Sequence, residues 1–314
     1  MKLVVTGGAG FIGSNLCHSL ATVEVIEEIR VIDDLSTGYL DNISEVPKLD
    51  FRQVSILDAR ALEQVITPDV QCVVHLAALP SVPRSLANPV ASHEANANGT
   101  VQVLEAVRIA GISHMIVASS SSVYGNNMTL PKTETMATRP LSPYAASKLA
   151  AEAYALAYAS SFGIGTLVFR FFNVFGPRQR ADHAYAAVIP AYISAALDNQ
   201  PVRIDGDGLQ SRDFTFVGSV CRVIIEAVLR GVTNPEPINL AYGTRTDLLG
   251  LITLLEELLG RQLCRSFTPP RAGDVRASQA DNATLRRLFP DVASVSLRDG
   301  LLETIEWWLS GSSR

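Results

Sequence analysis

Short apolar runs alternate with longer stretches of helical period through the first half of the chain. The segments KLVVTG, IRVIDDL, DFRQVSI, QCVVHLAA, HMIVASS and GTLVFRFFNV read as strands, with helical patterns between most of them. That order predicts an α/β fold built on a Rossmann-like, doubly wound parallel sheet. Runs such as CVV and MIV are continuously apolar rather than alternating, which suits strands covered by helices on both faces. Ligands of such a sheet sit at the C-terminal ends of its strands. Beyond about residue 175 the pattern loosens. YAAVIPAYISAALDN reads as a helix, VRIDGDG and SRDFTFV follow it, helices are expected near 218–230 and 248–260, and LRDGLLETIEWWLS closes the chain's pattern. The Gly/Pro-rich FGPRQ marks a lobe boundary. Residues 1–175, completed by parts of 214–245, are then the domain built on this sheet, and 176–314 a smaller α/β C-terminal lobe.

Composition narrows the function classes. The 314 residues carry a formal charge of -5 and no basic block, which argues against a nucleic-acid partner. Cys17, Cys72, Cys221 and Cys264 stand far apart, with no CxxC and no Cys/His cluster, so no metal site is expected and a reducing cytoplasm fits. No run of about 18 apolar residues occurs, so no membrane partner is expected. The opening MKLVVTGGAGFIGSNL is broken by Thr6 and its glycines and reads as part of the fold rather than as a leader.

The loop TGGAGFIGS follows the first strand and precedes a helix. Its glycines, Gly7, Gly10 and Gly13 among them, permit a tight turn and let backbone N–H groups approach a pyrophosphate. Asp33 ends the next strand 20 residues past Gly13. A carboxylate there accepts hydrogen bonds from ribose hydroxyls and repels a 2′-phosphate, so NAD is the expected cofactor. Asp34 reads equally well as a solvated loop carboxylate.

In LSPYAASKLAAEAYALAYASSFG, Ser142 is a natural N-cap and Pro143 a natural first helical residue. Tyr144 and Lys148, four apart, then share one helix face. A neighbouring ammonium favours the phenolate and would bring a tyrosine toward service as a general base.

With these motifs in register the chain resembles the extended short-chain dehydrogenase/reductases, and among them the nucleotide-sugar 4-epimerases. GGAGFIGS, HLAA, NANGT, SSSSVYG, SPYAASK, RFFNVFGPRQ, AYAAVIP, GDGLQSRDF and RAGDVRASQAD carry the resemblance across essentially the whole chain. It implies a catalytic set of Ser120, Tyr144 and Lys148. The serine hydrogen-bonds the reacting sugar oxygen, the tyrosine moves its proton and the lysine holds the nicotinamide ribose. On the cofactor side it implies Gly7, Gly10, Phe11, Ile12, Gly13, Asp33, Asp34, Ser36, Thr37, Gly38, Ile56, Leu76, Ala77, Ala78, Asn96 and Phe171. Ser55 stands where the family carries an aspartate for the adenine amino group.

Family dehydratases resemble Thr-Asp-Glu before Val-Tyr-Gly, and UDP-glucuronate decarboxylases resemble Thr-Ser-Glu. This chain has Ser120, Ser121 and Ser122. Lacking a carboxylate to drive elimination, it is expected to oxidise C4, turn the ketone over and reduce it again. Ser119 and Ser122 are expected to satisfy local backbone. For the UDP-sugar the resemblance implies Ser81, Ser120, Ser121, Asn173, Val188, Arg212, Arg271 and Asp274. Ser278 takes the place of a bulky gatekeeper and leaves room for an N-acetyl group. Arg180 resembles the arginine that UDP-glucuronate 4-epimerases place near the C6 carboxylate, and His183 lies close by. A neutral UDP-hexose or UDP-N-acetylhexosamine ranks first and UDP-glucuronate second. A non-catalytic NAD-binding module and a reductase that consumes NAD(P)H are the readings of other classes. Arg170 and Arg178 are expected in surface ion pairs. The resemblance also implies a homodimer.

Overall fold

The computed structural model describes residues 1–181, 186–270 and 276–311. Thirteen strands are β1 (Lys2–Thr6), β2 (Glu28–Asp33), β3 (Leu49–Gln53), β4 (Cys72–His75), β5 (His114–Ser120), β6 (Gly165–Phe171), β7 (Val174–Phe175), β8 (Val202–Asp205), β9 (Ser211–Arg212), β10 (Thr215–Phe216), β11 (Ile238–Leu240), β12 (Thr246–Asp247) and β13 (Arg265–Thr268). The α-helices are α1 (Phe11–Ala21), α2 (Ala59–Val65), α3 (Val82–Ala87), α4 (Pro89–His93), α5 (Gly99–Ile109), α6 (Pro143–Phe162), α7 (Val188–Leu197), α8 (Val217–Arg230), α9 (Leu248–Leu259), α10 (Ala283–Leu288) and α11 (Leu297–Leu309).

Seven strands form one sheet in the order β11-β6-β5-β4-β1-β2-β3, and its neighbouring strands pair in parallel. The order reverses between β1 and β4, which opens a crevice at their C-terminal ends. Alternation along each strand divides the core into two layers. Leu3, Val5, Cys72, Val74, Ile116, Leu167 and Phe169 face one layer, with Leu16 of α1 and Val220 of α8. Val4, Val73, Met115, Val117 and Val168 face the other, with Leu62 of α2, Val103 of α5 and Ala155 of α6. Both faces are buried, which is why these strands read as unbroken apolar runs.

β11 comes from beyond residue 230 and closes the sheet beside β6, Ile238 opposite Phe169. The remaining described strands are paired in three small ribbons, β7 with β10, β9 with β12 and β8 with β13. Among the described residues no helix is long and apolar enough to cross a membrane.

Candidate active site at the sheet's switch point

β1 delivers the chain into the glycine loop, where Gly7 adopts φ +72°, and a Cβ on it would lie 2.7 Å from the Ala77 amide nitrogen. Gly13 is tighter still, since its Cβ would fall 2.1 Å from the Gly7 carbonyl oxygen. Only glycine lets the loop, α1 and the turn after β4 come this close. Gly10 caps α1 with extended backbone, no side-chain cap and no acid in the first turn, so the helix presents bare N–H groups. Gly7, Gly10, Phe11, Ile12 and Gly13 all line a cleft of about 620 Å³.

Asp33 ends β2 on the wall of that cleft. Its Oδ2 accepts the Ala9 N–H at 3.0 Å and its Oδ1 the Leu35 N–H at 2.9 Å. Burial pushes this carboxyl's pKa up, and the backbone donors pull against that rise. Asp34, Ser36, Thr37, Ser55, Ile56, Leu76, Ala77, Ala78 and Phe171 share the wall. A bare helix N-terminus, a glycine cradle that a Cβ would fill and a carboxylate at the end of β2 fit a dinucleotide with its pyrophosphate on α1.

Two residues expected on the cofactor side stand behind the wall. Gly38 packs on Ala9, where a Cβ would lie 2.9 Å from the Ala9 carbonyl carbon. Asn96 sits in a single π-helical turn, Glu94–Asn98, and is buried. Its Oδ1 accepts the Leu79 N–H at 2.7 Å, and its Nδ2 donates to the Leu79 carbonyl and to Ser147 Oγ. Asn96 thus fastens the cleft-lining segment after β4 to α6.

The catalytic candidates converge on the same cleft. Ser142 accepts the Ala145 N–H at 3.1 Å and Pro143 takes the first turn, so α6 starts where the sequence indicates. Ser120, Tyr144 and Lys148 all line the wall. Ser120 Oγ accepts from the Ser122 N–H at 3.2 Å and from the Ser122 hydroxyl at 2.9 Å. Those bonds occupy its lone pairs and leave its own proton to be given. Burial pushes the Tyr144 phenol up, and the hydrogen bond with Ser120 opposes this. Burial lowers Lys148 to about 8, with Glu152 acting in the other direction. Beneath them His75 is held neutral by burial and by the Lys148 charge, its pKa lowered to about 3, between the hydroxyls of Thr6 and Thr100.

Ser119 and Ser122 do more than satisfy local backbone. Ser122 fixes the Ser120 hydroxyl, and Ser119 donates to Glu152 Oε2 at 2.7 Å. Ser121 opens the short helical turn after β5, off the cleft wall.

On the substrate side, Asn173 lines the cleft with φ +33°, its Nδ2 donating to the Asp213 carbonyl at 3.2 Å. Arg212 lies in β9, and the Ser278 N–H donates to the Ser211 carbonyl at 3.0 Å, which sets Ser278 beside that strand. Val188 starts α7, and Ser81, at φ +90°, caps α3. The Arg180 guanidinium lies 3.8 Å from the centre of the Tyr39 ring, over the loop that follows Asp33 and Asp34. Arg271, Asp274 and His183 lie outside the described residues.

Two arginines depart from expectation. Arg170 is buried and paired with Glu152, because a β6 residue pointing at α6 has no path to solvent. Arg178 is half-buried and donates to Asn15 Oδ1 at 3.2 Å, tying the FGPRQ loop to α1. Sequence reasoning missed Glu94, Ala95 and Gln179 on the cleft wall. Gln179 lay inside the quoted FGPRQ, but a lone glutamine carries no periodicity or motif to single it out.

Fold and cleft together define a dinucleotide-dependent enzyme that works at the switch point of a Rossmann-type sheet. The chain belongs to the NAD dependent epimerase/dehydratase family, whose profile matches residues 3–241, and its cofactor is NAD. It is 33% identical to a UDP-glucose 4-epimerase of Mycolicibacterium smegmatis, over 99% of this chain and 100% of that one. A UDP-N-acetylglucosamine 4-epimerase of Methanobrevibacter ruminantium M1, solved with UDP-N-acetylmuramic acid, superposes with a TM-score of 0.93 at 34% identity, covering 99% of this chain and 98% of that one. A UDP-glucuronic acid 4-epimerase of Bacillus cereus, solved with UDP-glucuronic acid and NAD, gives 0.90 at 31% identity, with 99% of each chain covered.

Proposed function

We propose that the protein is a UDP-sugar 4-epimerase, an isomerase that passes the sugar's C4 through a transient ketone. The observation that carries this is the convergence of Ser120, Tyr144 and Lys148 on one wall, at a strand end that holds serines where elimination would need carboxylates. Held by the glycine loop, Asp33 and Lys148, bound NAD would supply a reversible hydride acceptor for C4, so that the cofactor would be recycled rather than consumed. Tyr144 accepts the proton of the 4-hydroxyl and later gives it back. Ser120, its acceptor positions filled by Ser122, donates to the 4-oxygen and keeps the phenol in register. Lys148 supplies positive charge under the phenolate and, below about pH 8, holds its proton. Asn173, Arg212 and Arg271 are assigned to the nucleoside diphosphate, the arginines for the planar fork that matches phosphate oxygens, and Asp274 to the substrate. Exposed apolar side chains on α4 and α6, Val90 and Tyr154 among them, support assembly as a homodimer.

Neutral sugars rank before uronates. The stacking of Arg180 on Tyr39 engages the cation that a C6 carboxylate would require, and a serine at 278 leaves space beside the C2 substituent. The test is steady-state kinetics with UDP-glucose, UDP-N-acetylglucosamine and UDP-glucuronate, repeated for Arg180→Ala. Turnover of the neutral sugars with little change in that variant is expected; a strict preference for UDP-glucuronate that Arg180→Ala abolishes would reverse the ranking. Tyr144→Phe should lose at least about a thousandfold in kcat, in line with removal of a general acid–base, while NAD still binds. Stoichiometric consumption of reduced cofactor would point instead to a reductase, and silence with every sugar to a binding module.

A further inference from the structure

Glu152 lies on α6 four residues beyond Lys148 and eight beyond Tyr144, so the three share one face of the helix. Its side chain is 5% exposed and is fully engaged. Oε2 accepts the Ser119 hydroxyl at 2.7 Å and the Arg170 Nε at 3.0 Å, while Oε1 accepts Arg170 Nη2 at 2.6 Å. Arg170 extends the network through Nη1 to the Tyr124 hydroxyl at 2.9 Å and the Glu134 carbonyl at 3.1 Å, with its guanidinium over the Tyr124 ring. The Tyr124 hydroxyl in turn donates to Asn239 Oδ1 on β11 at 2.6 Å.

One carboxylate therefore ties the middle of α6 to the ends of β5 and β6, three elements that build the cleft. On β5 it holds Ser119, whose neighbour Ser120 points to the opposite face and into the cleft. On β6 it holds Arg170, next to Phe171 on the cleft wall. On α6 it stands one turn behind Lys148. We propose that Glu152 is a positioning residue for the reaction, setting the register of Ser120 against Tyr144 and keeping Lys148 protonated through the working pH range.

Geometry and charge agree on this role. Lys148 shares its helix with Tyr144 and Glu152 and the cleft wall with Ser119 and Ser120 on β5 and Glu94 on the π-helical turn, and its charge acts on neutral His75 on β4. Glu152 is the anion that acts on the Lys148 charge, and it opposes the burial that drives the Lys148 proton off. A buried ion pair is commonly no more stabilising than apolar side chains of the same volume, so folding alone gives little reason for one here. Loss of the Glu152 charge would also leave Arg170 uncompensated. Both changes favour neutral Lys148.

The inference rests on the epimerase reading for the role of Tyr144 and for the substrate used in the assay. In Glu152→Gln the alkaline limb of the kcat profile should move down by about one pH unit, equivalent to about tenfold in the protonation equilibrium. KM for the UDP-sugar should stay within about twofold, since uniform binding is untouched. The double variant E152Q/R170M removes the uncompensated guanidinium as well and should fold with a limb lowered by less than in Glu152→Gln. The Lys148 titration can also be read without turnover, from the 15N resonance of its Nζ, assigned by its loss in Lys148→Met. A lowered midpoint in either folded variant supports the proposal. Wild-type midpoints and limbs with only a fall in melting temperature would overturn it and leave Glu152 a purely structural residue. If the wild type turns over no UDP-sugar, the nitrogen titration still decides the point, and only the epimerase reading fails.

Discussion

A lysine buried to 4% exposure is an expense to the fold that the chemistry explains. Lys148 titrates near 8 rather than at its usual 10.5 because burial disfavours the ammonium. The folded-state value is the lower one, so the unfolded chain binds more protons between those limits. The cost is therefore fully present below about pH 8 and is relieved as pH rises toward 10.5. At about 1.4 kcal/mol per unit, the gap corresponds to about 3 kcal/mol at pH 7. Lys148→Met should raise the unfolding free energy by a similar amount in denaturant melts while abolishing turnover; a variant no more stable than wild type would contradict the burial argument. Tyr144, Lys148 and Asp33 were legible in the sequence because each follows a local rule: helix spacing, a cap, the end of a strand. Arg170 was not. Its partner Glu152 is 18 residues away on another element, and only the packing of α6 on β5 and β6 brings the two together. Asn96 was legible as a site residue, but its action through Leu79 and Ser147 depends on the π-helical turn that aims it inward.

Elements with a sustained period were legible and those without one were not. The strands of the main sheet up to β6 were read from their apolar runs, α6 from its cap and helical spacing, and α1, α8 and α9 from helical pattern. β7, β9, β10 and β12 are two residues each, too short to show a period of two. At this scale the glycine loop makes the sharpest prediction. A Cβ at position 13 meets backbone rather than a flexible side chain, so α1 must shift away from the loop. Gly13→Ala should weaken NAD binding by roughly 10- to 100-fold, the equivalent of the 1–3 kcal/mol typical of overpacking, as measured by calorimetry. Wild-type affinity would mean that the α1 N-terminus does not hold the pyrophosphate.

At the scale of the whole molecule, the boundary expected at FGPRQ does not divide the core. β11 returns from beyond residue 230 to the sheet, and α8 packs against α1, so the layer beneath the cofactor cleft is built from both halves of the chain. A fragment ending at residue 181 should therefore fail to give a cooperative melt. Buried Phe169 would lose its Ile238 neighbour and the α1 face would lose α8, two losses that together reach several kcal/mol in a fold of ordinary marginal stability. A sharp transition in that fragment would show that the N-terminal half is self-sufficient. The return of β11 also sets a clock on biosynthesis. The edge of β6 ends at Phe171 and its neighbour begins at Ile238, so at roughly 5–20 residues per second the ribosome leaves an apolar parallel edge unpaired for roughly 3–13 s. During that interval the nascent chain offers other chains a strand to pair with, and its yield in the cell is governed by what shields β6 until Ile238 arrives.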